Sequence, residues 1–190
     1  MAAEWKTVGR HTDGNYRIFT VDRVHRRATR RDGTALEGEF VVLNSPSWIN
    51  IIPLTAAGNV VMIRQFRHGI SDCTVEVPGG LVDEGEEPLA AAMRECREET
   101  GYESVESPVL LGVNQPNPAF MNNRCFSYLW RTCVLTGEQR WDEHEDIDVI
   151  EIPLVQIPLL IRNGTLQHSL TLTAFLFLMM HEDYRDMLSL

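Results

Sequence analysis

The sequence predicts a mixed α/β layered domain, and three observations carry that expectation. Apolar runs bounded by turn signals fill residues 15–78. One strongly marked helix follows at residues 88–100, and further strand runs then precede two helical segments at the C-terminal end. Strands on both sides of a central helix, with helices last, fit a sheet covered by helices. The 190 residues suit one domain or one domain with a small appendage, and a 44% hydrophobic content is enough to build a core.

The early strands are read at "NYRIFTVDRV", "EFVVL", "SWINIIPL" and "NVVMIRQF", separated by signals such as Asp32-Gly33 and "TAAGN". Between them "RVHRRATRRDG" carries five arginines and reads as a solvated, hairpin-like edge. The helix is framed by Pro88, suited to the first helical position, and Gly101, suited to the position just past the end. Leu89, Ala92, Met93 and Cys96 recur at helical spacing and form the expected core-facing stripe. Further strands are expected at "VLLGV", "RCFSYLWRTCVL" and "IDVIEIPL", and helices near 154–162 and 169–188.

A formal net charge of −10 opposes non-specific nucleic-acid binding, which depends on Lys and Arg neutralising phosphates. An anionic substrate must then be met by local cations or a metal. The apolar run "LTLTAFLFLMM" is too short to span a bilayer, so no membrane partner is expected. The first ten residues lack the apolar core of a signal peptide. Cys73, Cys96, Cys125 and Cys133 show no CxxC spacing and read as buried free thiols, so a cytoplasmic protein is expected.

Against that background the stretch "GGLVDEGEEPLAAAMRECREETGY" is unusual. Glu95, Glu98 and Glu99 share one helical turn, and like charges four apart cost a helix a few tenths of a kcal/mol, roughly. Four more acidic residues (Asp83, Glu84, Glu86 and Glu87) precede them. Mg²⁺ prefers hard oxygen ligands, and divalent cations can bridge phosphate oxygens and neutralise developing charge. Such a face therefore reads as a metal site or, alternatively, as a solvated acidic surface.

The spacing is Gly80, five residues, Glu86, seven residues, then Arg94-Glu95-Cys96-Arg97-Glu98-Glu99-Thr100-Gly101-Tyr102. This resembles the Nudix box, G-x5-E-x7-R-E-U-x-E-E-x-G-U, with Cys96 and Tyr102 as the two departures at bulky apolar positions. The resemblance implies a Nudix-type α/β/α sandwich around a mixed sheet, with an N-terminal antiparallel strand region. Residues 1–55 would form that region and serve dimerisation, and residues 56–190 the Nudix hydrolase domain. It also implies Mg²⁺, with Mn²⁺ as an alternative, held by Glu95, Glu99 and the carbonyl of Gly79. Gly79-Gly80 is expected to make a tight turn, Arg94 to anchor a box carboxylate, with Glu86 its expected partner, and Glu98 to act beside the metal.

The flanks resemble the ADP-ribose pyrophosphatase and nucleoside-diphosphate-sugar hydrolase subgroup. "VVMIRQFRHGISDCTVEVPGG" is similar to its R-Q-[YF]-R and E-x-P-G-G segments, which makes Arg64 and Arg67 substrate contacts. Pro118 lies sixteen residues beyond Tyr102, at the subgroup offset, although "NPAF" departs from the usual form. "WDEHEDIDV" resembles the subgroup's acidic loop, with Glu143 as general base and Glu145 as a further metal contact. The implied reaction is metal-dependent hydrolysis of a nucleotide-sugar diphosphate, ADP-ribose to AMP and ribose 5-phosphate, by a homodimer. GDP-mannose or another nucleotide sugar is the alternative substrate. A non-catalytic module that binds ADP-ribose is the alternative of another class.

Overall fold

The structure, a computed structural model, describes residues 3–140 and 146–184. Two units share the chain: residues up to Pro46 with Gln115–Arg124, and Ser47–Asn114 with Cys125 onward.

The first unit is a three-stranded antiparallel sheet in the order β1 (Lys6–Tyr16), β2 (Phe19–Thr29), β3 (Ala35–Asn44). The stretch expected as a single strand at 15–24 contains the β1–β2 turn, with Tyr16 paired to Phe19. β1 escaped notice because its sequence, "KTVGRHTDGNY", has no apolar alternation. The Asp32-Gly33 turn forms as expected, with Gly33 at φ 86° and Asp32 Oδ1 accepting from Thr34 N at 2.9 Å. The arginine-rich segment is largely the central strand β2, not an edge. Its charges are tolerated there because the neighbouring strands supply acids: Arg23 reaches Asp13 at 2.7 Å and Arg27 reaches Glu37 at 3.0 Å. Segment 115–124 joins this unit through Leu43 N donating to Phe120 O at 2.8 Å.

The second unit holds an eight-stranded mixed sheet. Its strands are β4 (Trp48–Thr55), β5 (Asn59–Arg67), β6 (Asp72–Glu76), β7 (Gly79–Leu81), β8 (Tyr102–Glu103), β9 (Val109–Asn114), β10 (Cys125–Leu135) and β11 (Ile147–Pro153). The main path runs β11-β5-β4-β10-β8, with β6 on β5, β7 on β4 and β9 on β10. β4 and β10 pair in parallel, and the other pairs are antiparallel. β4, which the division expected at residue 55 assigns to the N-terminal region, is a central strand of this sheet. Its composition explains why: Ile49 and Ile51 pack with one core cluster, Ile52 and Leu54 with the other. A strand apolar on both faces needs a layer on each side.

Helix α1 (Pro88–Thr100) supplies one layer through Ala91, Ala92 and Cys96. The other comes from α2 (Ile157–Arg162), preceded by a 3-10 turn at Leu154–Gln156, and α3 (Ser169–Met180), through Ile157, Ala174, Phe175 and Leu178. The result is the expected α/β/α arrangement. α3 ends at Met180: His181 is extended, Tyr184 beyond it packs back onto the core, and residues 185–188 of the expected helix lie outside the described residues. Cys96, Cys125 and Cys133 are buried free thiols, whereas Cys73 is exposed on β6. Among the described residues, no helix is long and apolar enough to cross a membrane.

Candidate active site

Helix α1 starts and stops where its sequence says it should. Pro88 occupies the first turn, and Gly101 closes the helix at φ 73°, its N–H donating to Arg97 O at 2.9 Å. The face turned inward keeps Ala92 and Cys96 of the expected stripe, with Met93 packed against the same cluster, but Leu89 leaves it. Leu89 is 37% exposed and Met93 only partly buried, while Ala91, Ala92, Cys96, Glu99 and Thr100 are buried. Small alanines let the helix approach the sheet closely, and Glu99, one turn beyond Cys96 on that face, lies inside, where it is 3% exposed.

The glycine pair explains where the glutamates sit. Gly79 and Gly80 lie in β7, opposite Asn50 and Ile49 of β4, and neither has a positive φ. They make no tight turn; they are needed for close approach. A side chain on Gly80 would overlap the carboxylate of Glu95, and one on Gly79 would overlap Ile49 O and Asn50 Oδ1. The Gly79 N–H donates to Glu99 Oε2 at 2.9 Å. Glu95 and Glu99, one turn apart, thus both turn their carboxylates toward the β7 backbone.

Arg94 binds the remaining acids. Its Nε and Nη2 form a two-bond fork on Glu86 at 3.0 and 2.9 Å, Nη1 reaches Glu95 at 2.8 Å and Glu98 at 3.1 Å, and Nη2 donates to Leu81 O at 3.2 Å. One guanidinium therefore ties the loop before α1 to the helix and offsets the repulsion among the glutamates. The bond from Arg94 holds the Glu86 carboxyl below its usual pKa, and Glu86 in turn pushes the Arg94 pKa up.

Hard carboxylate oxygens beside a side-chain-free backbone suit a divalent cation such as Mg²⁺. Among the described residues, however, no three acidic, His or Cys side chains are gathered closely enough to hold a metal as they stand. Arg94 occupies oxygens of Glu95 and Glu98, and Gly79 meets Glu99 through its N–H.

The other expected residues are distributed unevenly. Arg64 is exposed on β5, in register with Val75 and Asp148. Arg67 ends β5 and pairs with Glu76 at 2.6 Å. Pro118 lies in the first unit. Glu143, His144 and Glu145 lie outside the described residues. The chain leading to them is anchored on α1, with Gln139 Nε2 donating to Glu99 O and Arg140 N to Glu98 O, both at 2.8 Å. An open cleft of about 550 Å³ adjoins this anchor, lined by Arg94, Arg97, Glu98 and Arg140 among others. Asn50, absent from the expected site residues, donates through Nδ2 to Leu170 O at 3.0 Å while its Oδ1 lies beside Gly79. A lone buried amide within the apolar "WINIIPL" was the available signal.

The NUDIX domain family profile matches residues 46–172, a span beginning near the boundary between the two units. The ADP-ribose pyrophosphatase of Bacillus subtilis (strain 168) is 28% identical over 152 residues, covering 80% of each chain. The GDP-mannose pyrophosphatase of Shigella flexneri serotype 5b (strain 8401) is 28% identical over 174 residues, covering 85% of this chain and 88% of that one. The crystal structure of an ADP compounds hydrolase shares the fold, with a TM-score of 0.78 at 19% identity over 96% of this chain and 95% of that one. With the box in place on β7 and α1 and the profile covering most of the chain, the protein belongs to the Nudix hydrolase family.

Proposed function

We propose that this Nudix hydrolase cleaves the diphosphate of a nucleoside diphosphate sugar, taking ADP-ribose to AMP and ribose 5-phosphate. The observation that carries the reading is the approach of Glu95 and Glu99 to the glycine pair, with Glu98 and Glu86 gathered on Arg94. The names of the two relatives and of the structural neighbour agree with the substrate class. Nudix hydrolases generally use divalent metals such as Mg²⁺. Here Glu95, Glu99, the Gly79 carbonyl and Glu145 would hold Mg²⁺ or Mn²⁺, which when bound neutralises phosphate charge and activates water.

The chain's own residues do the rest. Arg94 fixes the acidic residues relative to β7, and Glu98 completes the acidic face. Arg64 and Arg67 give charge-assisted contacts to the phosphates or the terminal ribose. Glu143 takes the proton of the attacking water; the anchoring of Gln139 and Arg140 on the last turn of α1 supports its delivery there. The test is a panel of ADP-ribose, GDP-mannose, ADP-glucose, NADH and diadenosine polyphosphates, each with Mg²⁺ and Mn²⁺. A tenfold preference in kcat/KM for any of the others over ADP-ribose, about 1.4 kcal/mol, would overturn the substrate assignment and leave the Nudix chemistry intact. GDP-mannose is the second reading, favoured by the longer alignment to the Shigella enzyme.

We further infer a homodimer formed through the three-stranded sheet. Trp5, Val8, Phe40 and Val41 are exposed in that unit, and β1 is an edge strand that pairs only with β2 within the described residues. Sedimentation as a monomer at micromolar concentration would count against it. The four free thiols support a cytoplasmic location.

A further inference from the structure

Glu76, the last residue of β6, has a side chain only 2% exposed, yet it carries no part in the chemistry described above. Its carboxylate is held from three parts of the chain. Arg67 donates through Nε and Nη2 at 2.7 and 2.6 Å, the Thr74 hydroxyl donates at 2.5 Å, and His168 Nδ1 lies at 3.0 Å. Burial alone would push the Glu76 pKa up, but Arg67 and Thr74 outweigh it and hold the carboxyl below its usual value.

His168 sits at the N-terminal end of α3, and the same turn is fastened twice more. Val77 N donates to Thr171 Oγ1 at 3.4 Å, and Asn50 donates to Leu170 O at 3.0 Å. The base on which Glu76 stands is therefore fixed to both β4 and α3. A buried ion pair is weak evidence for stability, because well-packed apolar groups often do as well. What this pair does provide is direction. A two-bond fork on Nε and Nη2 sets the plane of the guanidinium, while the Arg67 side chain remains 42% exposed. Glu76 also lies only three residues before Gly79, about 10 Å along an extended chain, and Gly79 is the residue that holds Glu99.

We propose that Glu76, braced by His168, is a positioning residue that orients the guanidinium of Arg67 toward the anionic portion of a nucleoside diphosphate sugar. The proposal rests on the reading of Arg67 as a substrate contact. In that arrangement Glu76 touches neither the reacting atoms nor the metal ligands, and its effect falls on substrate affinity.

The test compares Arg67→Ala, Glu76→Gln, the double variant and His168→Asn in the full-length enzyme. The substrate is ADP-ribose, or whichever sugar nucleotide of the panel the wild type hydrolyses fastest. Arg67→Ala and Glu76→Gln should each raise KM by about tenfold, the loss expected when a charge-assisted contact is removed or misdirected, with kcat within about threefold. The double variant should be no worse than Arg67→Ala, because Glu76 acts through Arg67. A merely structural role would lower the melting temperature and the active fraction without this split between KM and kcat. If Arg67→Ala raises KM and Glu76→Gln does not, the positioning proposal is overturned while Arg67 stands as a contact. If Arg67→Ala leaves KM unchanged, the contact reading fails and the proposal fails with it. Should Glu76→Gln not fold, His168→Asn decides: a raised KM at preserved kcat supports the proposal, and an unchanged KM overturns it.

Discussion

Arg23 and Arg27 on β2 and Arg94 on α1 all bind carboxylates, but the two regions use the bond for different ends. On the three-stranded sheet each arginine meets an exposed acid on a neighbouring strand, Arg23 with Asp13 and Arg27 with Glu37. Such exposed pairs are screened by salt and solvent and contribute little to stability. Their service is to keep a highly charged central strand compatible with its neighbours. On α1 one guanidinium reaches three glutamates and a backbone carbonyl, beside a fourth glutamate that is buried against Gly79. There the charges are held in place rather than balanced one against one. Arginine and acid count alone cannot separate these cases; what separates them is how many partners converge and how far water is excluded.

That contrast predicts large effects around α1 and negligible ones on β2. The largest belongs to Glu143, on the segment whose approach is anchored at Glu98 and Glu99. Glu143→Gln should lower kcat by roughly a hundred- to ten-thousand-fold, the range a positioned proton acceptor supplies, with metal affinity little changed. If Glu145→Gln costs far more, the two roles are exchanged, and if neither matters the base lies on α1 itself. Steady-state kinetics paired with a metal titration of each variant separates these outcomes.

Next in size is Glu99→Gln, expected to cost roughly a hundred- to a thousand-fold in kcat, as the loss of one electrostatic stabiliser does elsewhere. An amide can still accept from the Gly79 N–H, so the melting temperature should hold. Near wild-type turnover at saturating Mg²⁺ would sink the metal assignment. Arg94→Lys follows. Lysine is a point donor and cannot span Glu86, Glu95 and Glu98 together. We expect a loss of about ten- to a hundred-fold in metal affinity or activity, as for other groups that orient metal ligands. Full activity in this variant would show that the acids hold their own positions, and the contrast with β2 would weaken.

What was readable beforehand follows the range of the interactions involved. The ends of α1 were legible because Pro88 and Gly101 act on their own backbone. The partnership of Arg94 with Glu86 was legible through spacing in a family pattern. The face that α1 buries was legible in part, through Ala92 and Cys96, but the exchange of Leu89 for Ala91 depends on how closely the sheet lets the helix approach. The Gly79-Gly80 pair is visible in the sequence but its purpose is not: two glycines signal either a turn or a close approach, and only the neighbouring β4 and Glu95 decide between them. β1 had no apolar period to betray it, because its partner is a charged strand and not the core. The hold of His168 on Glu76 joins residues ninety-two positions apart, beyond any local signal.

The smallest predicted effect is also the control for the comparison. Arg27→Ala removes the bonds to Glu37 at 3.0 and 3.1 Å and nothing else that the α1 site uses. Arg27 holds the Glu37 carboxyl below its usual pKa, and His25, at 2.6 Å from the same acid, adds to that hold. With Arg27 gone, His25 remains as a partner for Glu37, so the strand keeps part of its compensation. The variant should match wild type in kcat, KM and metal dependence, with a melting temperature unchanged within error at ordinary salt. The measurement is a thermal melt at low and high ionic strength alongside kinetics. A loss of activity without a loss of melting temperature would mean that the β2 arginines do more than pair across strands, and the division of labour drawn between the two regions would have to be abandoned.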